Sequence, residues 1–329
     1  MKKWLQYLIA GLLALIALAA CGGTDEPEQA ANDDMEQANP VESAFPVSIA
    51  DAVDAEVTID SKPERIVSLI PSNTETLFAL GLNDEIVGVS EFDNYPEEAL
   101  EKEKVGGMEF NLEQIISLEP DVVFAHESNA HNSSEGLEQL REAGIPVIVV
   151  NDASSFEEAY KAIEMMAAAT GTKDQGDKII EEIKAKVAEI AEKAKAVENE
   201  QKVWVEVDAN LFTAGKHTFI DEMLTIIRAE NIAGDQEGWV QFTEEDVVSM
   251  QPDVIVTTYG DYAENVKENI LARNAWQDVP AVKNERVYDV NSDLVSRPGP
   301  RWPRRSAAVL PSRADSRWLR TGRCPRILP

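Results

Sequence analysis

Between Lys173 and Asn199 apolar residues recur every three or four positions, so Ile179, Ile183, Val187, Ile190, Ala194 and Val197 form one stripe. Glu and Lys occupy the other faces, several in the favourable order four apart, as in Glu182 with Lys186 and Glu189 with Lys193. The spacing predicts a helix of about 26 residues spanning roughly 39 Å, about the width of a small domain. Short apolar runs flank it on both sides. Ile66–Ile70, Ile86–Val89, Val122–Ala125 and Val147–Val150 read as buried strands, and Val47–Ile49 and Val57–Ile59 as two short strands around a turn at Asp51–Asp54. Helical patterns over Pro71–Gly81, Leu112–Leu118, Leu137–Ala143 and Ser155–Thr170 separate them. Beyond the long helix, strands are expected at Val203–Val207, Val254–Thr257 and Val287–Val290, with a helix over His217–Arg228. Such alternation implies covered parallel sheets. The expectation is an α/β fold of two lobes bridged by one long α-helix; the alternative is a long surface helix on one larger domain.

An internal repeat favours two lobes. NLEQIISLEPDVVFA (Asn111–Ala125) aligns without gaps on TEEDVVSMQPDVIVT (Thr243–Thr257). Each reads as a helix, a Pro-Asp turn and a buried strand, and Glu113 falls opposite Glu245.

The first residues follow another pattern. Lys2 and Lys3 precede an apolar run from Trp4 to Ala20, and Leu18-Ala19-Ala20-Cys21 resembles a bacterial lipobox. Residues 1–20 are therefore expected to be a lipoprotein signal peptide and Cys21 the lipidated first residue; an uncleaved membrane helix is the alternative. Residues 21–44 are acidic, contain few large apolar groups and read as a flexible tether. The protein is thus expected on the extracytoplasmic face of the cell membrane, held by a lipid anchor.

Charge and chemistry narrow the function. The 329-residue chain carries a formal charge of −30, a surface that repels nucleic acid and anionic lipid. Its two cysteines, Cys21 and Cys324, lie near opposite ends, leaving the body without a disulfide or thiolate site. No Gly-rich phosphate loop and no Gly-x-Ser-x-Gly elbow occur. His126, His131 and His217 lack the H-E-x-x-H spacing; they could meet as a metal site across a cleft or be unrelated polar residues. No catalytic constellation emerges, so neither an enzyme nor a resident cofactor is expected.

The stretches PERIVSLIPSNTETLFALGL, VGVSEFDNYP, GGMEFNLEQIISLEPDVVFA, LFTAGKHTFIDEML and NSDLVSRPGPR carry a resemblance from Phe45 to Arg301. They resemble the helical-backbone substrate-binding proteins of ATP-driven importers for vitamin B12 and iron siderophores, with the cobalamin-binding members nearest in motif. The resemblance implies two Rossmann-like lobes, here 45–152 and 201–300. They would be joined through helices in 153–200 that include the backbone helix over about 173–199, which would limit hinge closure. It implies ligand contacts at Phe92, Phe212 and Trp239, at His126 where the family has a tryptophan, and at a polar pair, Asp293 and Arg297. It also implies that Glu113 and Glu245 dock on arginines of a two-fold symmetric permease dimer served by an ATPase, the binding protein itself being a monomer. A corrinoid is the expected ligand, since Arg297 and Lys216 are the main cations near the cleft; a ferric siderophore or haem is the alternative. A secreted α/β enzyme would need a nucleophile–base pair that the sequence lacks.

The tail breaks the pattern. Residues 301–329 hold eight Arg, one Asp and no Lys, and Pro303, Pro311, Pro325 and Pro329 interrupt them where the family closes its second lobe with an amphipathic helix. This composition is that of a shifted reading frame near Arg301; a true basic tail is the alternative. A shift would leave apolar surface on the second lobe uncovered.

Overall fold

The computed structural model describes residues 45–301. The signal segment, the tether with Cys21 and the Arg/Pro-rich tail with Cys324 lie outside the described residues. The first lobe starts with an antiparallel pair, β1 (Val47–Ala50) and β2 (Glu56–Ile59). Its main elements are β3 (Ile66–Ser68), α1 (Pro71–Ala79), β4 (Ile86–Val89), β5 (Glu103–Lys104), α2 (Leu112–Ser117), β6 (Val122–His126), α3 (Glu127–Asn132), α4 (Ser134–Glu142) and β7 (Val147–Val150). Two helices follow, α5 (Phe156–Ala169) and α6 (Lys173–Ala194).

The second lobe contains β8 (Lys202–Glu206), β9 (Phe212–Ala214), α7 (Phe219–Ile226), β10 (Glu230–Asn231), β11 (Trp239–Gln241) and α8 (Glu244–Met250). β12 (Val254–Thr257), α9 (Val266–Leu271), α10 (Pro280–Lys283), β13 (Val287–Asp289) and α11 (Asp293–Ser296) complete it. The sheets run β5-β4-β3-β6-β7 and β10-β8-β12-β13, each wholly parallel. This is a two-lobed α/β fold with a long helix between two parallel sheets.

Strand alternation builds two apolar layers per lobe. In β6, Val122 and Phe124 face the layer under α1, α5 and α6, while Val123 and Ala125 face the layer under α2 and α4. In β12, Val254 and Val256 face α7, while Ile255 joins Trp204 and Trp276 beneath α8, α9 and α10.

The long helix is shorter than its periodicity predicts. It ends at Ala194 rather than Asn199, because Ala196 and Val197 bond back three residues instead of four, to Lys193 and Ala194. Its 22 residues still span roughly 33 Å. Gly176 lets it approach α5: a Cβ there would lie 2.6 Å from the Ala167 Cβ.

The internal repeat is physical. Asn111 and Thr243 each accept a backbone N–H from the third residue of the helix they cap, Gln114 and Asp246. Glu119 (φ 46°) and Gln251 (φ 51°) then turn through the left-handed region. Asp121 accepts from the Arg65 N–H and Asp253 from the Lys202 N–H, each pinning the start of the neighbouring first strand.

Candidate functional site

Parallel strands open their binding crevice at their carboxyl ends, where the βα loops gather. There the chain leaves large apolar side chains in solvent. The loop after β4 presents Phe92 (52 % exposed) and Tyr95, and Met108 follows β5. In the second lobe the β9–β11 ribbon follows β8 and presents Phe212 and Trp239 (56 % exposed); Tyr262 (77 % exposed) follows β12. Phe212 pairs with Gln241 and Ala214 with Trp239, so the two aromatic residues share one face of the ribbon. An aromatic side chain exposed alone is ordinary; among the described residues the exposed aromatic side chains gather on these loops, which makes the loops the candidate binding surface.

Polar groups tie the two sides together. Arg297 reaches Asp293 at 2.8 Å, the buried Glu75 at 3.0 Å and the Asn94 side-chain oxygen at 2.8 Å. It also donates to the Phe92 carbonyl at 3.5 Å, and the Asn94 amide donates to Asp293 at 2.9 Å. Phe92, Asp293 and Arg297 thus belong to one network between the β4 loop and α11. The segment assigned to the second lobe ends against the first.

His126, at the end of β6, is buried where the aromatic group is exposed. The residue is 7 % exposed, and its ring caps α3 by accepting the Ser128 N–H at 3.2 Å, with Asp152 3.8 Å from Nε2. Burial lowers its pKa below 6.5, opposed by Asp152 and Glu127. The other histidines bond elsewhere, His131 to the Glu127 carbonyl and His217 to Glu237. Among the described residues no cluster of three metal-ligating side chains forms.

Glu113 and Glu245 are exposed in the first turns of α2 and α8, and among the described residues no side-chain hydrogen bond or ion pair engages either. The repeat places them at equivalent positions on the two lobes.

Sequence reasoning missed three features here. Tyr95, Met108 and Tyr262 were legible only as chain positions just past apolar strands. The β9–β11 ribbon was hidden because each strand has only three residues, and α3 because its six residues, all polar except Ala130, have no apolar period. Below the site Glu206, fully buried at the end of β8, takes two bonds from Arg273 at 2.7 and 2.8 Å, one from Tyr259 at 2.6 Å and one from the Trp204 indole at 3.1 Å. Burial and this carboxylate raise the Tyr259 pKa, so the phenol stays protonated. This cluster is a satisfied core network rather than a reactive group.

Comparison with known proteins shows the same architecture. A family described as periplasmic binding protein matches residues 66–294. The uncharacterized ABC transporter substrate-binding lipoprotein YvrC of Bacillus subtilis (strain 168) is 46% identical, over 92% of this chain and 94% of its own length. A cobalamin-binding protein of Halobacterium salinarum (strain ATCC 29341 / DSM 671 / R1) is 29% identical over 89% of this chain and 80% of its own. Among solved structures, a possible iron-binding (periplasmic solute-binding) protein from Staphylococcus epidermidis ATCC 12228 superposes with a TM-score of 0.70 at 35% identity, covering 76% of this chain and 98% of that one. The periplasmic heme-binding protein RhuT from Roseiflexus sp. RS-1 in apo form gives 0.68 at 27% identity, covering 75% and 96%.

Proposed function

The chain belongs to the periplasmic binding protein family, the non-catalytic, substrate-binding component of ABC importers, and from that premise we propose that it captures a corrinoid between its lobes. The observation that carries this reading is the set of exposed aromatic side chains at the carboxyl ends of both sheets. A corrin offers broad apolar faces and a polar rim, which call for aromatic surfaces and a few placed polar groups. Phe92, Phe212 and Trp239 supply the surfaces, with Asp293 and Arg297 at the rim. His126, buried as a helix cap at the end of β6, adds no exposed surface.

The cations support a ligand of low net charge. Arg297 is already balanced by Glu75 and Asp293, and Lys216 sits 3.0 Å from Glu237. An anionic ferric siderophore, or haem with its two propionates, would find no free cation at either place. Haem keeps one specific point in its favour: Tyr95 and Tyr262 are exposed phenols able to ligate iron. Titrating tryptophan fluorescence with cyanocobalamin, haemin and a ferric siderophore separates these ligands. Quenching by cyanocobalamin at the lowest concentration is expected; tighter binding of haemin moves the assignment to haem, and no response to any ligand sinks the reading.

The same proposal gives Glu113 and Glu245 to the permease. Two equivalent carboxylates face a two-fold symmetric partner in a self-consistent way. Replacing both by Ala abolishes uptake and leaves ligand affinity unchanged; intact uptake removes this role. A lipid anchor at Cys21 keeps the protein at the extracytoplasmic face of the membrane, which radiolabelled palmitate incorporation, lost in Cys21→Ser, tests.

A further inference from the structure

Lobe 1 buries a carboxylate for which it provides no partner. Glu75 lies in α1 with its side chain 1 % exposed. Among the described residues its side-chain partners are two arginines from the far end of the described chain. Arg297 donates to one oxygen at 3.0 Å, and Arg301 spans both oxygens, 2.7 Å from the second. Arg301 also lies 3.9 Å from the centre of the Tyr95 ring. Asn94 accepts from Arg297 and donates to Asp293, closing the network between the β4 loop and α11. A buried carboxylate without these cations would be uncompensated, which is strongly destabilising. The sequence stretches on both sides, PSNTE around Glu75 and SRPGPR around Arg297 and Arg301, therefore meet in space although more than 200 residues separate them.

We propose that Glu75 is the positioning residue of the cleft: it draws the segment after α11 back onto lobe 1 and makes a second crossing beside α6. The crossing fixes the guanidinium of Arg297 at the rim and the carbonyl of Phe92 beneath the aromatic surface. Two links between the lobes, a helix and an ion-paired strap beside it, resist rotation that either alone permits. The role of Arg297 toward a ligand rests on the corrinoid reading; the strap itself does not.

Hydrogen exchange read by mass spectrometry on the full chain tests the strap without a ligand. The isosteric Glu75→Gln removes the charge and keeps the shape. Amides of Leu294, Val295 and Ser296, which bond back to Asn291 and Ser292, then exchange about tenfold faster or more, while those of β3 and β6 stay protected. Arg301→Gln moves the same amides in the same direction by less, and the double variant adds nothing to Glu75→Gln, since the pair acts as a unit. If Glu75→Gln also releases β3 and β6, Arg301→Gln decides alone. Unchanged exchange at 294–296 in Arg301→Gln, or full additivity in the double variant, overturns the proposal. Cyanocobalamin titration of the same samples keeps the two readings apart: faster exchange in the variants of a parent that binds no cyanocobalamin retains the strap and rejects the corrinoid, and the reverse result does the opposite.

Discussion

The two lobes repeat one unit but bury their key carboxylates differently. Glu206 in the second lobe is satisfied by Trp204, Tyr259 and Arg273, all from that lobe. Glu75 in the first is satisfied by Arg297 and Arg301, from the chain beyond α11. The same chemistry thus completes one lobe and joins the other to its neighbour. The lobes also differ in cover. The layer of lobe 1 that contains Val122 lies beneath α1, α5 and α6, with α5 following β7 directly. The corresponding layer of lobe 2 has α7 and the end of α6, and β13 is followed by the four-residue α11. An apolar groove remains there, lined by Val187, Ile190, Val205, Ile220, Leu224 and Val256 among others. A duplicated unit therefore tolerates different closure as long as its Pro-Asp turns and central strands are kept.

Substitutions at the two carboxylates separate them most strongly. Arg273→Met leaves Glu206 buried without its cation and costs about 3–5 kcal/mol in urea denaturation. Arg301→Gln costs less, about 2 kcal/mol, because Arg297 still reaches Glu75. Equal losses would mean that both networks serve only their own lobe.

The aromatic surfaces should respond in affinity and not in stability. Phe92→Ala in lobe 1 and Trp239→Ala in lobe 2 each weaken corrinoid binding by about tenfold or more, equivalent to a hot-spot side chain. Both are exposed, so their urea midpoints stay at the parent value; a lowered midpoint for Trp239→Ala would make it a core residue instead.

How far the sequence revealed this contrast depends on the length and regularity of each element. The central strands were legible because short runs rich in Val and Ile bounded by turn formers admit few other readings, and Ile86–Val89, Val147–Val150 and Val254–Thr257 have the expected bounds. The two lobes were legible in the repeat, whose capping residues and Pro-Asp turns recur in space. Phe92, Phe212, Trp239, Asp293 and Arg297 could be singled out only by resemblance, because exposure of an aromatic side chain follows from tertiary placement. The pairing of Glu75 with Arg301 was invisible for the same reason: nothing local links positions so far apart.

Smaller effects probe what holds each lobe. Gly176→Ala gains helix propensity but drives a methyl group into Ala167 of α5, 2.6 Å away. The overlap outweighs the gain of about 1 kcal/mol, and a net loss of about 1 kcal/mol is expected by thermal denaturation. In lobe 1 the neutral form of His126 is favoured by burial, so its folded pKa lies below 6.5. The resulting stability is present above pH 6.5 and is lost as the pH falls from there through the folded value. His126→Gln flattens this slope between pH 7 and 5; an unchanged slope assigns the acid sensitivity to other groups.

Small-angle scattering with and without ligand bears on the two crossings, since curves that differ by less than a clamshell closure are expected. The corrinoid cleft is tested most directly by calorimetric titration of cyanocobalamin into the parent and into the double variant Phe92→Ala with Trp239→Ala. One equivalent bound by the parent, and no measurable binding by a folded double variant, is the predicted result. No heat from the parent, or equal affinity in both proteins, would contradict a corrinoid held between the aromatic surfaces of the two lobes.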